Sequence, residues 1–432
     1  MLTRPGRSAA CAASLLAAAL GAATPASAAG FALFEQGARA MGFAGAFTAQ
    51  ASDPSAIFHN PAGIAFQRGR RLYLGGTAVR PTSSFEGAAP FPGAGVTEEG
   101  DAGILIPPHA YYTHELAPDI VAGIGVHVPF GLRSRWASPD TYSGRFISQS
   151  AELRGFSINP TIAVKLADRL SVGAGLDVRL SSVTLQRRVP LANPFTQRIV
   201  DAATLDLESD TALGLGFNLG MLARLSESTS IGASYRHKVK AEYEGSAVFT
   251  PLSTGNAQLD ALIGAALPQG SQPVRTEIEF PGFASVGLAQ RFGAWTFEVD
   301  VNWYQWSTFD VLPITFTERP DLSEVIVEDY GDSFQYRFGV ERELSETWAV
   351  RGGYFWDETP SPPASVSPLL PDANRNGIAL GGSWTSGRLR LDAGAWLVLG
   401  SARSTAGQNR DRYEGTYQSR AFTLGLSLGY EF

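Results

Sequence analysis

Apolar residues recur at every second position, in runs of about ten residues, fourteen times along this chain, and that is the period of a strand with one greasy face. The last run closes the chain: Phe422, Leu424, Leu426, Leu428, Tyr430 and Phe432 share one side, with Thr423, Gly425, Ser427, Gly429 and Glu431 on the other. The run at 170–180 behaves alike, setting Leu170, Val172, Ala174, Leu176, Val178 and Leu180 against Ser171, Gly173, Gly175, Asp177 and Arg179. A slip of one residue would turn Asp177 and Arg179 outward, and an Arg facing lipid at the midplane costs about 2–4 kcal/mol. After residue 28 no stretch has the roughly eighteen apolar residues that a membrane helix needs. Strands can span hydrocarbon only as a closed sheet, since each unpaired backbone group there costs several kcal/mol. The pattern therefore predicts an all-β fold, a 14-stranded antiparallel transmembrane β-barrel.

The connections alternate in length. Short links fall at 117–119, 167–169, 226–229, 292–294, 345–347 and 386–387; long polar or Pro/Gly-rich stretches fall at about 81–103, 131–152, 188–203, 250–274, 311–325, 358–375 and 401–415. Short periplasmic turns and long external loops are the habit of outer-membrane barrels, with an even strand number and both ends periplasmic. Trp295, Trp303, Trp306, Trp348, Trp356 and Tyr354, near strand ends, suit aromatic girdles, although a lumenal place is equally open to them.

Arg4 and Arg7, then an Ala/Leu-rich run to Ala23, then Ala26-Ser27-Ala28 read as a secretory signal over residues 1–28. The one cysteine, Cys11, lies inside it, so the mature chain is expected to have no thiol chemistry. Without Arg4 and Arg7 the 34 basic residues become 32 against 41 acidic, a formal charge of −9, which argues against nucleic acid as a partner.

Residues 30–66 break the strand pattern. They are rich in Gly and Ala, partly helical in character, and end in Asn60-Pro61-Ala62-Gly63. A barrel this wide leaks unless filled, so residues 29–68 are expected to be a short N-terminal hatch plugging the lumen of a barrel built from 69–432.

Three stretches carry a resemblance to a known family: Gly30–Gln36 leading to Asn60-Pro61-Ala62-Gly63; Val128-Pro129-Phe130-Gly131-Leu132; and Phe334–Glu341 through Arg351–Tyr354, Asp357, Thr359-Pro360 and Leu370–Arg375. The chain resembles the FadL/TodX-type outer-membrane transporters of long-chain fatty acids and other hydrophobic compounds. That resemblance implies capture of ligand on an external apolar groove, passage to a lumenal pocket, a hatch shift, and sideways exit through a gap at a kink in the third strand. Here the matching positions are the hatch residues Asn60, Pro61, Ala62 and Gly63 and the kink residues Pro129, Phe130 and Gly131. Pro lacks a ladder donor and Gly permits unusual dihedrals, so this trio either opens the strand locally or ends it.

In the stretch 250–274, Leu259, Leu262, Ile263, Ala266 and Leu267 form a helical-period apolar stripe, a candidate external capture surface or a packing face. Arg187, Arg188, Lys238 and Lys240 are candidates for a ligand head group by charge alone. The expected partners are hydrophobic small molecules and outer-membrane lipid, with the chain a monomer; a general diffusion porin, or a carrier of aromatic hydrocarbons in place of fatty acids, is the alternative. No cofactor or metal is expected: His59, His109, His114, His127 and His237 have no ligand spacing. Asp372-Ala373-Asn374-Arg375 begins like a calcium loop but has Ser383 at its twelfth position. Gly425-Leu426-Ser427-Leu428-Gly429 has nucleophile-elbow spacing without the strand-to-helix turn it requires, and no enzyme activity is expected.

Overall fold

A strand edge in hydrocarbon must find a partner, and pairing with sequence neighbours carries the wall all the way round. The computed structural model describes residues 30–432; the expected signal lies outside them. The wall strands are β1 (Arg70–Gly87), β2 (Pro108–Ala117), β3 (Ile120–His127), β4 (Ser150–Ala167), β5 (Leu170–Ala192), β6 (Ala212–Arg224), β7 (Thr229–Arg236), β8 (Phe283–Phe292), β9 (Trp295–Tyr304), β10 (Ser333–Glu343), β11 (Trp348–Asp357), β12 (Arg375–Ser386), β13 (Leu389–Gly400) and β14 (Gly415–Glu431). Each pairs antiparallel with the next. β14 then returns to β1, from Arg71↔Glu431 to Gly87↔Gly415, closing a fourteen-stranded barrel.

The six expected short links join β2–β3, β4–β5, β6–β7, β8–β9, β10–β11 and β12–β13. Two of them turn on glycines at positive φ, Gly293 and Gly387, a conformation that L side chains resist. The strands obey the alternation: on β5 Asp177 is fully buried while Leu176 is 61% exposed to the lipid side. Trp295, Trp348 and Tyr354 face outward as girdle residues would. Trp306 does not; it is wholly buried and meets the ring of Phe31 at 4.8 Å.

The expected loops 81–103, 188–203 and 250–274 are in good part strand. β1 continues to Gly87 and pairs with Thr97–Asp101; β5 continues to Ala192 and pairs with Ile199–Ser209; Val239–Pro251 pairs with Ser271–Phe280. In them the alternation is inverted: Leu205, Leu207, Val239, Ala241 and Tyr243 are buried on the inner face while Asp206, Glu208, Lys240, Glu242 and Glu244 point outward, so the apolar outer face that reveals a lipid-facing strand is absent.

Inside the bore lie α1 (Ala38–Gly42), α2 (Ala56–His59) and a 3-10 turn at Pro61–Phe66. Helices this short do not persist alone; the wall holds them. A Cβ on Gly173 would meet the Pro61 carbonyl carbon at 2.5 Å, one on Gly339 the Phe43 ring at 2.6 Å, and one on Gly381 the Gly42 Cα at 2.7 Å. The small lumenal residues of the strands are thus the seat of the hatch. Asp300 accepts the Phe47 and Thr48 amides, both at 2.9 Å, and Glu298 the Ala49 amide at 2.6 Å. Asn60 donates to the Thr48 and Met221 carbonyls (2.8 and 3.0 Å) and accepts from the Ala62 amide, with Pro61 at the first helical position. Ala62 and Gly63 are buried behind it.

Candidate functional site

Ahead of these helices, residues 30–36 form an arm that meets the third strand where that strand is broken. β3 stops at His127, the chain deviates over Val128–Gly131, and pairing with β4 resumes at Leu132–Arg135. Pro129 cannot donate to a ladder, so the break falls there naturally. The arm takes up the freed groups. Leu33 N donates to Pro129 O (2.9 Å), Gly131 N donates to Phe31 O (3.0 Å), and Ala32 bridges Phe130.

The break leaves the wall unequal on its two flanks. Towards β4 the space beside Pro129 and Phe130 is about 10 Å³, room for one water at most. Towards β2, the ladder ends at Ala110↔Val126 and backbone pairing is regained only at Gly100↔Trp136, with the Arg133 guanidinium donating to the Ala102 carbonyl (3.4 Å) just before it. Ile104 and Ile106, 61% and 68% exposed, flank this interval. A cavity of about 200 Å³ opens onto it, bounded by Gly30–Glu35, by Leu105, and by Gly131–Arg135, and reaching inward to Phe355 and Trp396.

A second cavity of about 80 Å³ lies nearer the outside, walled by Leu153, Leu185, Leu207, Ile278, Leu312 and Ile314. The two share Phe31, Leu132 and Leu370. Phe31 is the hinge of an aromatic cluster, with Trp306 at 4.8 Å and Phe309 at 5.3 Å between ring centroids. Sequence reasoning missed Phe31 as a site residue; its neighbours Phe280, Trp306 and Phe309 are far away in the chain, and no local pattern announces them.

Below the arm the bore is filled by charge. Asp177 accepts from Arg179 (2.8 Å) and Arg236 (2.9 Å); Arg337 donates to Ala44 O (2.7 Å) and pairs with Asp357 (3.3 Å); Arg351 donates to Glu341 (2.7 Å). These side chains are buried. His59 stacks edgewise on Phe34, Phe47 and Phe58, and burial, with Arg337 and Arg236 nearby, pushes its imidazole down to about 3.

The other candidate residues fall as follows. The stripe at 250–274 is helix α3 (Ala257–Ala266), capped by Asn256. Leu259 and Ile263 are buried against Ala202, with Leu267 packed beside them, and Leu262 alone is half exposed. Three of the four candidate capture residues thus make packing contacts, as amphipathic stripes usually do, and Leu262 is the one left open to the outside. The four candidate basic residues are all ion-paired: Arg187 with Glu324, Arg188 with Asp140, Lys238 with Glu279 and Lys240 with Glu277. Asp372 holds the arm, accepting from Gly30 N (3.0 Å) and Thr359 and pairing with Arg375. Ser427 Oγ lies 2.8 Å from His109 Nε2, across Gly75 of the intervening strand, and accepts from Ala38 N. His109 Nδ1 has no partner among the described residues, so the pair lacks the orienting group of a nucleophilic triad and serves as an anchor for α1.

Fold and site together define a closed outer-membrane barrel plugged by its own amino-terminal segment. The chain belongs to the outer membrane protein transport family that comprises OMPP1, FadL and TodX, whose model matches residues 19–432. The long-chain fatty acid transport protein of Salmonella typhi is 22% identical over 399 residues, covering 88% of this chain and 89% of the relative. Outer membrane protein P1 of Haemophilus influenzae is 23% identical over 360 residues, 75% of each. A crystal structure of a Pseudomonas aeruginosa FadL homologue superposes with a TM-score of 0.80 at 20% identity, over 94% of this chain and all of that one. The Pseudomonas putida toluene transporter TodX does so with 0.69 at 17%, over 92% and 98%. The chain is an outer-membrane protein of a family of transporters for hydrophobic compounds.

Proposed function

We propose that this protein moves long-chain fatty acids or similar hydrophobic molecules across the outer membrane by a passive relay that ends sideways in the lipid. The single observation that carries this reading is the course of connected space: the apolar outer cavity meets the inner one at Phe31, and the inner one, where Phe34, Leu105, Leu132, Phe355 and Trp396 share the wall with Glu35, Arg337 and Asp357, opens between β2 and β3. Each methylene gains about 0.8 kcal/mol on leaving water, so a cargo held by Leu185, Leu207 and Ile314 moves on most readily along the aromatic and aliphatic side of the inner cavity, past Phe31, Leu132 and Leu105. Straight descent is opposed by the charged floor. Breaking one buried ion pair costs about 3–5 kcal/mol, and the route past Asp177, Arg337 and Arg351 would break several. The exit at Pro129, Phe130 and Gly131 needs only the arm 30–36 to release its bonds. Asn60, Pro61, Ala62 and Gly63 stay as the fixed stopper, and Leu262, with the rim of the outer cavity, receives cargo from outside.

A second reading, that the cargo is an aromatic hydrocarbon, is favoured by the outer cavity itself. Its lining is apolar and about 80 Å³ in volume, and the nearby basic residues already have carboxylate partners. Mass spectrometry of molecules that co-purify with the detergent-extracted protein separates the two. Recovery of only phospholipid, together with a steady pore current in planar bilayers, would point instead to a diffusion porin.

A further inference from the structure

β6 and β7 run side by side, yet their ladder is interrupted. They pair from Ser230↔Arg224 to Arg236↔Asn218. Past His237 and Lys238 the chain continues as Val239–Pro251, and it regains the upper continuation of β6 only at Gly245↔Ser209. Among the described residues no ladder joins 211–216 to 238–243. Two bonds of 2.8 Å bracket the interval, His237 N to Phe217 O and Asp210 N to Glu244 O. On their far sides both segments remain paired, Leu213 and Leu215 with Leu180 and Val178, and Val239 and Ala241 with Phe280 and Ile278. A bulge displaces one residue; this interval is an eyelet in the wall.

One side chain stops it. Val239 is fully buried; a Cβ on Gly216 would meet its Cγ2 at 2.7 Å, and one on Gly214 would meet its Cγ1 closer still. The two glycines leave the recess that the isopropyl group fills. On the inner side Val239 and Ala241 belong to the apolar cluster that contains Phe31, Phe130 and Phe280. On the outer side Leu213 and Leu215, 58% and 68% exposed, face lipid. Lys238 and Lys240 flank Val239 on the same edge, and their pairs with Glu279 and Glu277 form a charged rim at the level of the gate, which sets the eyelet at the outer edge of the hydrocarbon, since such side chains are costly deeper in. Irregular backbone at the membrane is tolerated where it lines a passage or is covered by protein, and here the cover is the Val239 side chain with the Lys240 carbonyl beside it, which a Cβ on Gly214 would meet at 2.9 Å.

We propose that the β6–β7 eyelet is a second lateral opening, gated by Val239, through which neutral apolar molecules dissolved in the outer leaflet reach the lumenal cluster beside Phe31. This rests on the transport reading above and adds to it a way in from the membrane, distinct from the opening between β2 and β3.

The test uses a lock. A Gly214→Cys, Val239→Cys pair is introduced into the full chain, whose one cysteine, Cys11, falls in the expected signal. Cells making each variant take up N-phenylnaphthylamine across the outer membrane, with and without reductant, and heat-modifiable migration on gels certifies barrel assembly. The oxidised pair is expected to slow uptake at least twofold relative to the reduced pair, and Val239→Ala to speed it severalfold, while the parent protein ignores the reductant. Equal rates for oxidised, reduced and Val239→Ala forms, with Gly131→Trp still slowing uptake, would overturn the second opening alone. Uptake by the parent no faster than by cells lacking the protein would overturn the transport reading, and the eyelet proposal with it.

Discussion

The side-chain amide of Gln36 bonds both backbone groups of Val128, donating to its carbonyl at 2.6 Å and accepting from its amide at 3.2 Å. A side chain here stands in for a strand, completing the ladder that β3 abandons at His127. Gln36→Ala would leave both groups of Val128 without partners, and an unsatisfied buried group costs about 1–3 kcal/mol. The arm is therefore expected to open more often. Hydrogen exchange at Leu33 and Gly131 should speed up about tenfold or more, while the Phe47 and Thr48 amides held by Asp300 keep their protection. Unchanged exchange at Leu33 would show that Gln36 does not hold the arm.

Gly131 faces the arm at close quarters: a Cβ there would lie 3.1 Å from Leu33 Cδ1. A small side chain would need only a slight shift of Leu33, but Trp would occupy the space between the arm and the β2–β3 interval. Gly131→Trp is expected to cut uptake of hydrophobic probe severalfold with barrel assembly intact. Full uptake in an assembled Gly131→Trp barrel would remove the exit from this place in the wall.

What the sequence makes legible is whatever repeats locally. Leu176 against Asp177, or Leu424 against Thr423, states which face meets lipid, and the short turns count the strands. The extensions at Thr97–Asp101 and Ile199–Ser209 were hidden because they carry charge where a lipid-facing strand carries apolar side chains: Asp206 and Glu208 point outward and Leu205 and Leu207 inward. The hatch seat was hidden for another reason: Gly339 and Gly381 read simply as small lumenal residues until Phe43 and Gly42 are set against them. Pairings over great sequence distance, such as Asp300 with the Phe47 amide or His109 with Ser427 across β1, leave no local trace at all. The Pro129–Gly131 break was visible as unusual chemistry, whereas the arm that covers it was not, since Phe31, Ala32 and Leu33 look like any apolar segment.

Asp300 and Glu298 grip the turn at 47–50 by its amides, and neighbouring carboxylates in a dry place are tolerated there because those donors face them. The double variant Glu298→Ala, Asp300→Ala removes the grip without adding bulk. The hatch is expected to leave its seat more often, and steady current through single barrels in planar bilayers should rise above the near-silent level of the parent. A barrel that stays silent would mean that the glycine seat and Asn60 suffice to hold the plug.

Glu328 sits in the external segment between β9 and β10, 1% exposed, beside the loops that bear Arg410, Asp411 and Asp372. Burial foremost, then the Asp411 carboxylate, pushes its own carboxyl up from the usual 4.5 to about 8. When these loops part, Glu328 meets water and loses its proton above about 4.5. Packed, it keeps that proton until about 8. The packed form therefore binds one more proton than the open form across this window, and its stability falls as pH rises through it, by about 3–5 kcal/mol in all at 1.36 kcal/mol per unit. Below about 4.5 both forms are protonated and the dependence ends. Limited proteolysis of the 324–331 segment should accelerate steadily from pH 5 to pH 8, and Glu328→Gln, neutral at every pH, should flatten that profile at the slow, low-pH rate. A Gln variant whose cleavage still accelerates with pH would assign the effect to another group.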